Sequence, residues 1–140
     1  MSKLINQLKR HEGLSLSMYK CTSDRWSIGY GLNLEAGITE KEADMLLTMR
    51  VDKVSFELLR KLPTSINSNI NEARENVLIN MAFNLGVNGL FKFKKMISAL
   101  EVGDYNEASL QMMDSKWARQ VGKRAIELSE QMRTGVYLYD

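Results

Sequence analysis

Residues 11–33 bring together, in one short stretch of a 140-residue chain, side chains that could act as acid, base or nucleophile. They include Glu12, Cys21, Asp24, Ser27 and Tyr30. Hydrolysis of a glycosidic bond needs a protonated acid on one side of the bond and a base, nucleophile or positioned water on the other. Glu12 could be the acid if an interface removes its carboxyl group from water. Taken alone this signal is weak, because a glutamate at a helix end is most often a solvated surface residue.

The residues that precede Glu12 are predicted to form a short amphipathic helix over 3–12. Its apolar side chains recur on one face, with Ser2 as the expected N-cap and Gly13 as the residue that stops the helix. Glu12 then lies in the last turn. The helix dipole is negative there, which is unfavourable for a carboxylate unless a cation compensates.

Residues 14–34 show the period of two that is typical of β-strands. Apolar and polar side chains alternate up to Lys20, and again from Trp26 to Gly31, with turn-forming residues between the two runs. This pattern predicts a β-hairpin or a small three-stranded sheet. Gly29 and Gly31 indicate a close approach of backbone or ligand.

From Thr39 onward the chain is predicted to be helical. Thr39 and Glu42 form a capping box ahead of a helix that runs to about Leu62, and a second long helix with a wide apolar stripe covers 72–85. The segment 64–71 is polar, and shorter helices are expected at about 93–102, 105–113, 115–120 and 123–133, with Asp104 and Glu107 as a second capping box. We therefore predict one α+β domain over 1–140. A small N-terminal lobe would cover about 1–38 and a helical lobe about 39–140, with a ligand groove between them.

Composition narrows the possible functions. The net charge of +2 does not suggest a nucleic-acid-binding protein. Basic residues are frequent after Lys92, which favours either an anionic polymer such as a bacterial wall or a solvated helix surface. With one Cys and one His, we expect no disulfide, no metal site and no cofactor. The N-terminus resembles neither a signal peptide nor a membrane anchor, so we expect synthesis in the cytoplasm and no stable membrane anchor. We also expect the protein to be a monomer.

The motifs of this chain resemble those of the phage lysozymes, or endolysins, of glycoside hydrolase family 24. The family signature is a Glu, eight residues, an Asp or Cys, five residues and a Thr, and Glu12, Cys21 and Ser27 fall at that spacing. The stretches around them match too, and the similarity continues in family order through the helical lobe. Its further segments are 38–43, 78–86, 115–117, 123–125 and 133–135.

The resemblance implies a lysozyme-like fold and a role for each matching residue. Glu12 would protonate the glycosidic oxygen, the position of Cys21 would support the attacking water, and Ser27 would hold that water with its hydroxyl group. Arg124 would supply a cation near Glu12. The implied reaction is hydrolysis of the β-1,4 bond between N-acetylmuramic acid and N-acetylglucosamine in peptidoglycan, on the cell wall, after release from the cytoplasm of the host.

Three positions depart from the family pattern. Cys21 stands where Asp is commoner, Ser27 replaces Thr, and Leu32 replaces a frequent His. A thiol is neutral at pH 7 unless its pKa is lowered, so we expect water activation to rest on Ser27 and backbone groups.

The resemblance also implies that Asn33, Phe83 and Gln111 contact the sugar, because they match glycan-contacting positions of the family. Core packing is an equal alternative for Phe83. For Trp26 and Trp117 we favour core positions. Asp24 is expected to be a turn residue.

Three other functions stay open on sequence grounds. A lytic transglycosylase uses a single acid and no water, and the absent Asp at position 21 keeps that possibility. A wall-binding module without catalysis is a second alternative, against which the retained Glu12 argues. A lysozyme domain of a phage tail would share fold and chemistry with an endolysin.

Overall fold

Helix α1 (Ser2–Glu12) opens the chain in the computed structural model, which describes residues 1–139. Ser2 is the first helical residue, and Met1 precedes it as the N-cap, so the prediction of a Ser2 cap is wrong. The reason is that the N–H of Ile5 donates to the carbonyl of Met1 at 3.0 Å, which starts the helical ladder one residue earlier. Gly13 ends the helix as predicted, and its N–H donates to the carbonyl of Lys9 at 3.0 Å.

A three-stranded antiparallel sheet follows, in the order β1-β2-β3. The strands are β1 (Ser15–Lys20), β2 (Trp26–Gly29) and β3 (Leu32–Asn33). Ser27 on the central strand pairs with Tyr19 on one side and Asn33 on the other. Between β1 and β2, Asp24 adopts a positive φ of 59° in a turn closed by its N–H to the carbonyl of Cys21 at 2.9 Å. The predicted sheet and the turn role of Asp24 are confirmed.

The remainder of the described chain is helical. After a 3-10 turn (Leu34–Ala36) come α2 (Glu40–Lys61), α3 (Thr64–Asn67), α4 (Glu72–Leu85), α5 (Val87–Leu90), α6 (Lys94–Glu101), α7 (Tyr105–Met113), α8 (Lys116–Val121) and α9 (Lys123–Thr134). The α+β class is confirmed, and α4 and α7 have the predicted bounds. The short helices α3 and α5 were not predicted, because four residues are too few to show a helical period.

Side-chain caps explain where several helices begin. The Thr39 hydroxyl accepts from the N–H of Glu42 at 3.1 Å, and the Glu42 carboxylate accepts from the N–H of Thr39 at 2.9 Å, which confirms the capping box. The backbone N–H of Thr39, and after it the Thr39 hydroxyl group, lower the pKa of the Glu42 carboxyl group. Asp104 also caps the N–H of Glu107, but the Glu107 carboxylate accepts from Gln111 instead, so this second box is half formed.

The described residues form two compact units, residues 1–46 and the described residues from Leu47 onward, and α2 belongs in part to each. The hydrophobic core lies in the second unit, where α4 and α7 both pack against α9. Val77, Leu78 and Met81 of α4 are fully buried, as its wide apolar stripe predicts. Among residues 1–139, no helix has the length and apolar character needed to span a bilayer.

Candidate active site

The carboxylate of Glu12 lies at the C-terminal end of α1 against the turn that joins β2 and β3. A Cβ atom placed on Gly31 would come within 2.7 Å of Glu12 Oε2. Gly31 also has a φ of +75°, a conformation that L side chains rarely adopt. The absence of a side chain at Gly31 therefore permits both the turn and the close approach of the Glu12 carboxylate. A close approach is what the sequence predicts for Gly31. The side chain of Glu12 is otherwise exposed.

Cys21 and Ser27 are brought together by the β1–β2 hairpin. Cys21 directly follows β1, and its N–H donates to the carbonyl of Arg25 at 2.9 Å, which holds the base of the turn. Ser27 is 3% exposed, and its hydroxyl group lies near enough to the Cys21 thiol to lower the pKa of that thiol. The thiol and the hydroxyl group thus form one polar pair at this end of the sheet.

The surroundings of Cys21 favour its thiolate. The backbone N–H groups of Arg25 and Ser23 donate to the sulfur, and with the Ser27 hydroxyl they lower the pKa of the thiol. Partial burial acts in the opposite direction but with less weight than the two backbone groups. The neutral thiol near pH 7 stays a prediction. The lowered pKa acts against it, because it increases the fraction of thiolate at a given pH.

Lys20 and Trp26 form the neighbouring exposed surface of the sheet. Lys20 Nζ lies 3.4 Å from Asp24 Oδ1 and 5.3 Å from the centroid of the Trp26 ring. Trp26 is 39% exposed, so the prediction that it lies in the core is wrong. The reason is strand alternation, since Ser27 faces inward and its neighbour in β2 therefore points to the opposite face.

Asn33 helps to shape the end of the sheet. Its Oδ1 accepts from the N–H of Glu35 at 3.0 Å and caps the 3-10 turn. This hydrogen bond uses the side-chain oxygen of Asn33, so its side-chain amide nitrogen is the group that could donate to a ligand. Its predicted contact with glycan is compatible with this arrangement and stays a prediction.

Phe83 and Arg124 line one cleft of the second unit, together with Leu47, Val51, Asn76, Ile79 and Asn80. The Phe83 ring is 43% exposed, so it is not a core residue, and its contact with sugar stays a prediction. Arg124 donates from Nε and Nη2 to Oδ1 of Asn80, at 3.0 and 2.6 Å. Sequence reasoning missed this role of Asn80, although Asn80 belongs to a segment that matches the family. The pairing of Arg124 with Glu12 stays a prediction.

Gln111 lines a different pocket of the same unit, together with Trp117. Its amide nitrogen donates to Glu107 Oε1 at 2.7 Å. Trp117 is 3% exposed and donates from Nε1 to Asn84 Oδ1 at 2.8 Å, so its predicted core position is confirmed. The predicted sugar contact of Gln111 stays a prediction.

The structure therefore collects four predicted site residues, Glu12, Cys21, Ser27 and Asn33, in the first unit, and Phe83, Gln111 and Arg124 in the second. An acid at a helix end beside a small sheet, followed by a helical unit, is the arrangement of a lysozyme-type glycoside hydrolase. Within residues 1–139, no cluster of His, Cys, Asp or Glu side chains is arranged to hold a metal ion.

Comparison with known proteins specifies the family. A family model described as phage lysozyme matches residues 9–133. The chain is 32% identical to an endolysin of Acyrthosiphon pisum secondary endosymbiont phage 1, over 84% of this chain and 80% of that protein. It is 28% identical to a probable T4-type lysozyme of Dictyostelium discoideum, over 96% of each. It is also 28% identical to the pre-baseplate central spike protein of Enterobacteria phage T4, over 94% of this chain but 28% of that protein.

The chain belongs to the phage lysozyme family. It is a muramidase-type peptidoglycan hydrolase, and both the resemblance inferred from its motifs and the lysozyme-like fold are confirmed.

Proposed function

We propose that this enzyme cuts the β-1,4 bond between N-acetylmuramic acid and N-acetylglucosamine by inversion, with Glu12 as the proton donor. The observation that carries the proposal is the Glu12 carboxylate at the end of α1, held against Gly31 in the unit that also contains the Cys21–Ser27 pair. Family membership supports the choice of substrate.

The proposed step needs one acid and one water molecule. Glu12 transfers its proton to the glycosidic oxygen as the C1–O bond breaks, and a water molecule held by the Ser27 hydroxyl attacks C1 from the opposite face of the sugar. The attacking water releases its proton to bulk solvent as the new C1–O bond forms, and the product carries the inverted configuration at C1. Asp24, the other carboxylate of the hairpin, is paired with Lys20 at 3.4 Å, which argues against a role as nucleophile.

In this proposal the remaining site residues bind the glycan or assist Glu12. Asn33, Phe83 and Gln111 contact the glycan, and Arg124 supplies positive charge near Glu12. The enzyme acts as a monomer on the cell wall after release from the cytoplasm in which it is made, without nucleic acid as a partner. This reaction would serve wall digestion both when phage particles leave the host and when they enter it. The relatives named above include an endolysin and a spike protein, so the reaction is compatible with either use.

Product analysis tests the proposal. Purified peptidoglycan is digested with the wild-type protein and with Glu12→Gln, reducing ends are counted, and fragments are identified by mass spectrometry. Hydrolysis gives free reducing N-acetylmuramic acid, and NMR of fresh product shows the inverted anomer first. Anhydro sugar ends would indicate a lytic transglycosylase and would contradict hydrolysis. A retained anomer or a glycosyl adduct on Cys21 would contradict inversion, and binding to the wall without new reducing ends would contradict catalysis.

A further inference from the structure

Helix α2 carries apolar side chains on the face that points away from the core. Leu58 is fully buried, whereas Phe56, which lies roughly 200° from it around the helix, is 63% exposed. Met49 is also exposed and lies on the same face as Phe56, because seven residues make nearly two full turns. Isolated apolar side chains are common on a surface, but an aligned Phe and Met on one helix face are typical of a docking surface. We call this face of residues 49–60 the outer face of α2.

Charged side chains flank Phe56 on the outer face, with Asp52 one turn before it and Arg60 one turn after it. The guanidinium group of Arg60 lies 5.5 Å from the centroid of the Phe56 ring. Together with Ser55 and Leu59, the same three residues line a cleft of about 480 Å³. Asp52 and Arg60 are exposed and, over residues 1–139, belong to no ion pair. The outer face thus offers an apolar centre with a negative charge at one end and a positive charge at the other.

The order of these charges is complementary to itself. When a second copy of the outer face is laid against the first in the antiparallel direction, with Phe56 on Phe56, each Asp52 faces Arg60 of the other copy. Lys53 and Glu57 are exposed too, and in this arrangement Lys53 of one copy comes opposite Glu57 of the other. A parallel arrangement would instead place like charges side by side, which is unfavourable. The order of the charges therefore selects one partner, a second copy of this chain, and one relative direction.

We propose that two copies of this protein pair through the outer face of α2, antiparallel and centred on Phe56. The Phe56 ring of each copy packs into the cleft beside Leu59 of the other, and ion pairs between Asp52 and Arg60 form at both ends. One helix face buries less than the roughly 1,600 Å² of a stable complex, and exposed ion pairs add little, so the pair is weak and reversible. Each copy has its own Glu12 and the copies separate on dilution, so the monomer stays the form that digests the wall in the proposed function.

Sedimentation velocity of the whole protein tests the pairing by charge reversal. From about 10 μM to about 1 mM, the range of a weak association, we expect the sedimentation coefficient of the wild-type protein to rise with concentration, and to rise less at high salt. Asp52→Arg alone and Arg60→Asp alone should each stay monomeric, because like charges then face each other. An equal mixture of the two variants should pair again, since the two arginines of one variant face the two aspartates of the other. The matched control is Glu101→Arg, which reverses the charge of an exposed residue of α6 and should behave as the wild type.

Phe56→Ala tests the centre of the contact. Loss of the ring should raise the dissociation constant at least about 10-fold, as for a central aromatic side chain of an interface. Its control is Leu110→Ala, a similarly exposed apolar residue of α7, which should leave the dissociation constant unchanged. All of the substituted residues are exposed, so circular dichroism should give the wild-type Tm for every variant. A wild-type protein that stays monomeric up to about 1 mM, a mixture of the charge variants that does not pair, or an equal loss in either control would overturn the proposed contact.

Measurements on dilute protein separate pairing from a role of the outer face in substrate binding. Where the copies are separate, Asp52→Arg and Phe56→Ala should hydrolyse peptidoglycan at the wild-type rate. The Met49 methyl signal in NMR spectra should move with protein concentration, and it should not move when a soluble chitin oligosaccharide is added to dilute protein. A loss of rate in dilute enzyme, or a Met49 signal that responds to the oligosaccharide, would assign the outer face to the glycan and overturn the pairing. If the wild-type protein pairs but cuts no peptidoglycan, the pairing stands and the proposed function fails.

Discussion

The unit that carries the proton donor and the unit that carries the core differ in how their side chains are held. In residues 1–46, helix α1 has no buried residue and Ser27 is the buried polar group, so short turns and backbone hydrogen bonds give this unit its shape. In the described residues from Leu47 onward, a continuous cluster from Leu58 to Met132 is closed to water. The chemistry and most of the hydrophobic stabilisation therefore lie on different parts of the chain, and substitutions in the two units should have different effects.

Glu12→Gln should have the largest effect on rate and little effect on stability. The amide keeps the shape of the side chain but cannot deliver a proton, which costs roughly 10²–10⁴-fold in kcat. Reducing-end release measures the rate, and thermal unfolding followed by circular dichroism checks that Tm is retained. Near wild-type hydrolysis by this variant would remove Glu12 from the mechanism.

Leu78→Ala should show the opposite behaviour. Leu78 is 0% exposed, and truncation leaves a cavity in the core that lowers the free energy of unfolding by about 2–5 kcal/mol. The matched control is Leu110→Ala in α7, where the side chain is 62% exposed and the expected change is within about 0.5 kcal/mol. Urea unfolding measures both, and similar losses in the two variants would contradict the separation of core and surface.

Gly31→Ala should reduce activity by displacing Glu12. The added Cβ would meet Glu12 Oε2 at 2.7 Å, and a shift of about 1 Å in a catalytic group can cost roughly 10²-fold. Gly29→Ala is the control for backbone strain, because Gly29 has a similar φ of +68° but no atom within 4 Å of the added carbon. If kcat falls equally in the two variants, strain in the sheet and not contact with Glu12 is responsible.

Arg124→Ala should weaken both stability and activity, more modestly. Loss of the hydrogen bonds to Asn80 should lower the free energy of unfolding by about 1–2 kcal/mol. Two double-mutant cycles in urea, Arg124 with Asn80 and Arg124 with Glu12, identify the partners. We expect coupling above about 0.5 kcal/mol in both cycles. Additive effects in the second cycle would show that Arg124 acts through Asn80 and does not assist Glu12.

Substitutions at Cys21 should have the smallest effect. Cys21→Ser and Cys21→Asp should both lose less than the roughly 10²-fold that removal of a general base costs, because Ser27 holds the water. The N–H groups of Arg25 and Ser23 lower the pKa of the thiol, so a working thiolate would make activity climb as pH rises through that lowered pKa. We expect no such climb in pH–rate profiles. A climb that disappears in Cys21→Ser, or an inactive Cys21→Ser with a normal fold, would assign the base to Cys21.

Local patterns were enough to predict most elements of this protein. The bounds of α4 and α7, the stop at Gly13 and the capping box at Thr39 follow from periodicity and from residues close in sequence. The position of Glu12 at a helix end, ahead of a hairpin, was predictable for the same reason. The starting residue of α1 and the short helix α3 were missed, since a single alternative hydrogen bond or one buried side chain such as Ile66 decides them.

The sequence by itself determined the family, the α+β class and the candidate proton donor, because motif spacing and hydrophobic period are properties of neighbouring residues. The tertiary structure decided which distant groups meet. Arg124 donates to Asn80, which lies 44 residues away in sequence, and Trp117 donates to Asn84, which lies 33 residues away. It also decided that Glu12 rests on Gly31 and that Trp26 is exposed while Trp117 is buried. Such contacts depend on strand register and helix packing, and no local period encodes them.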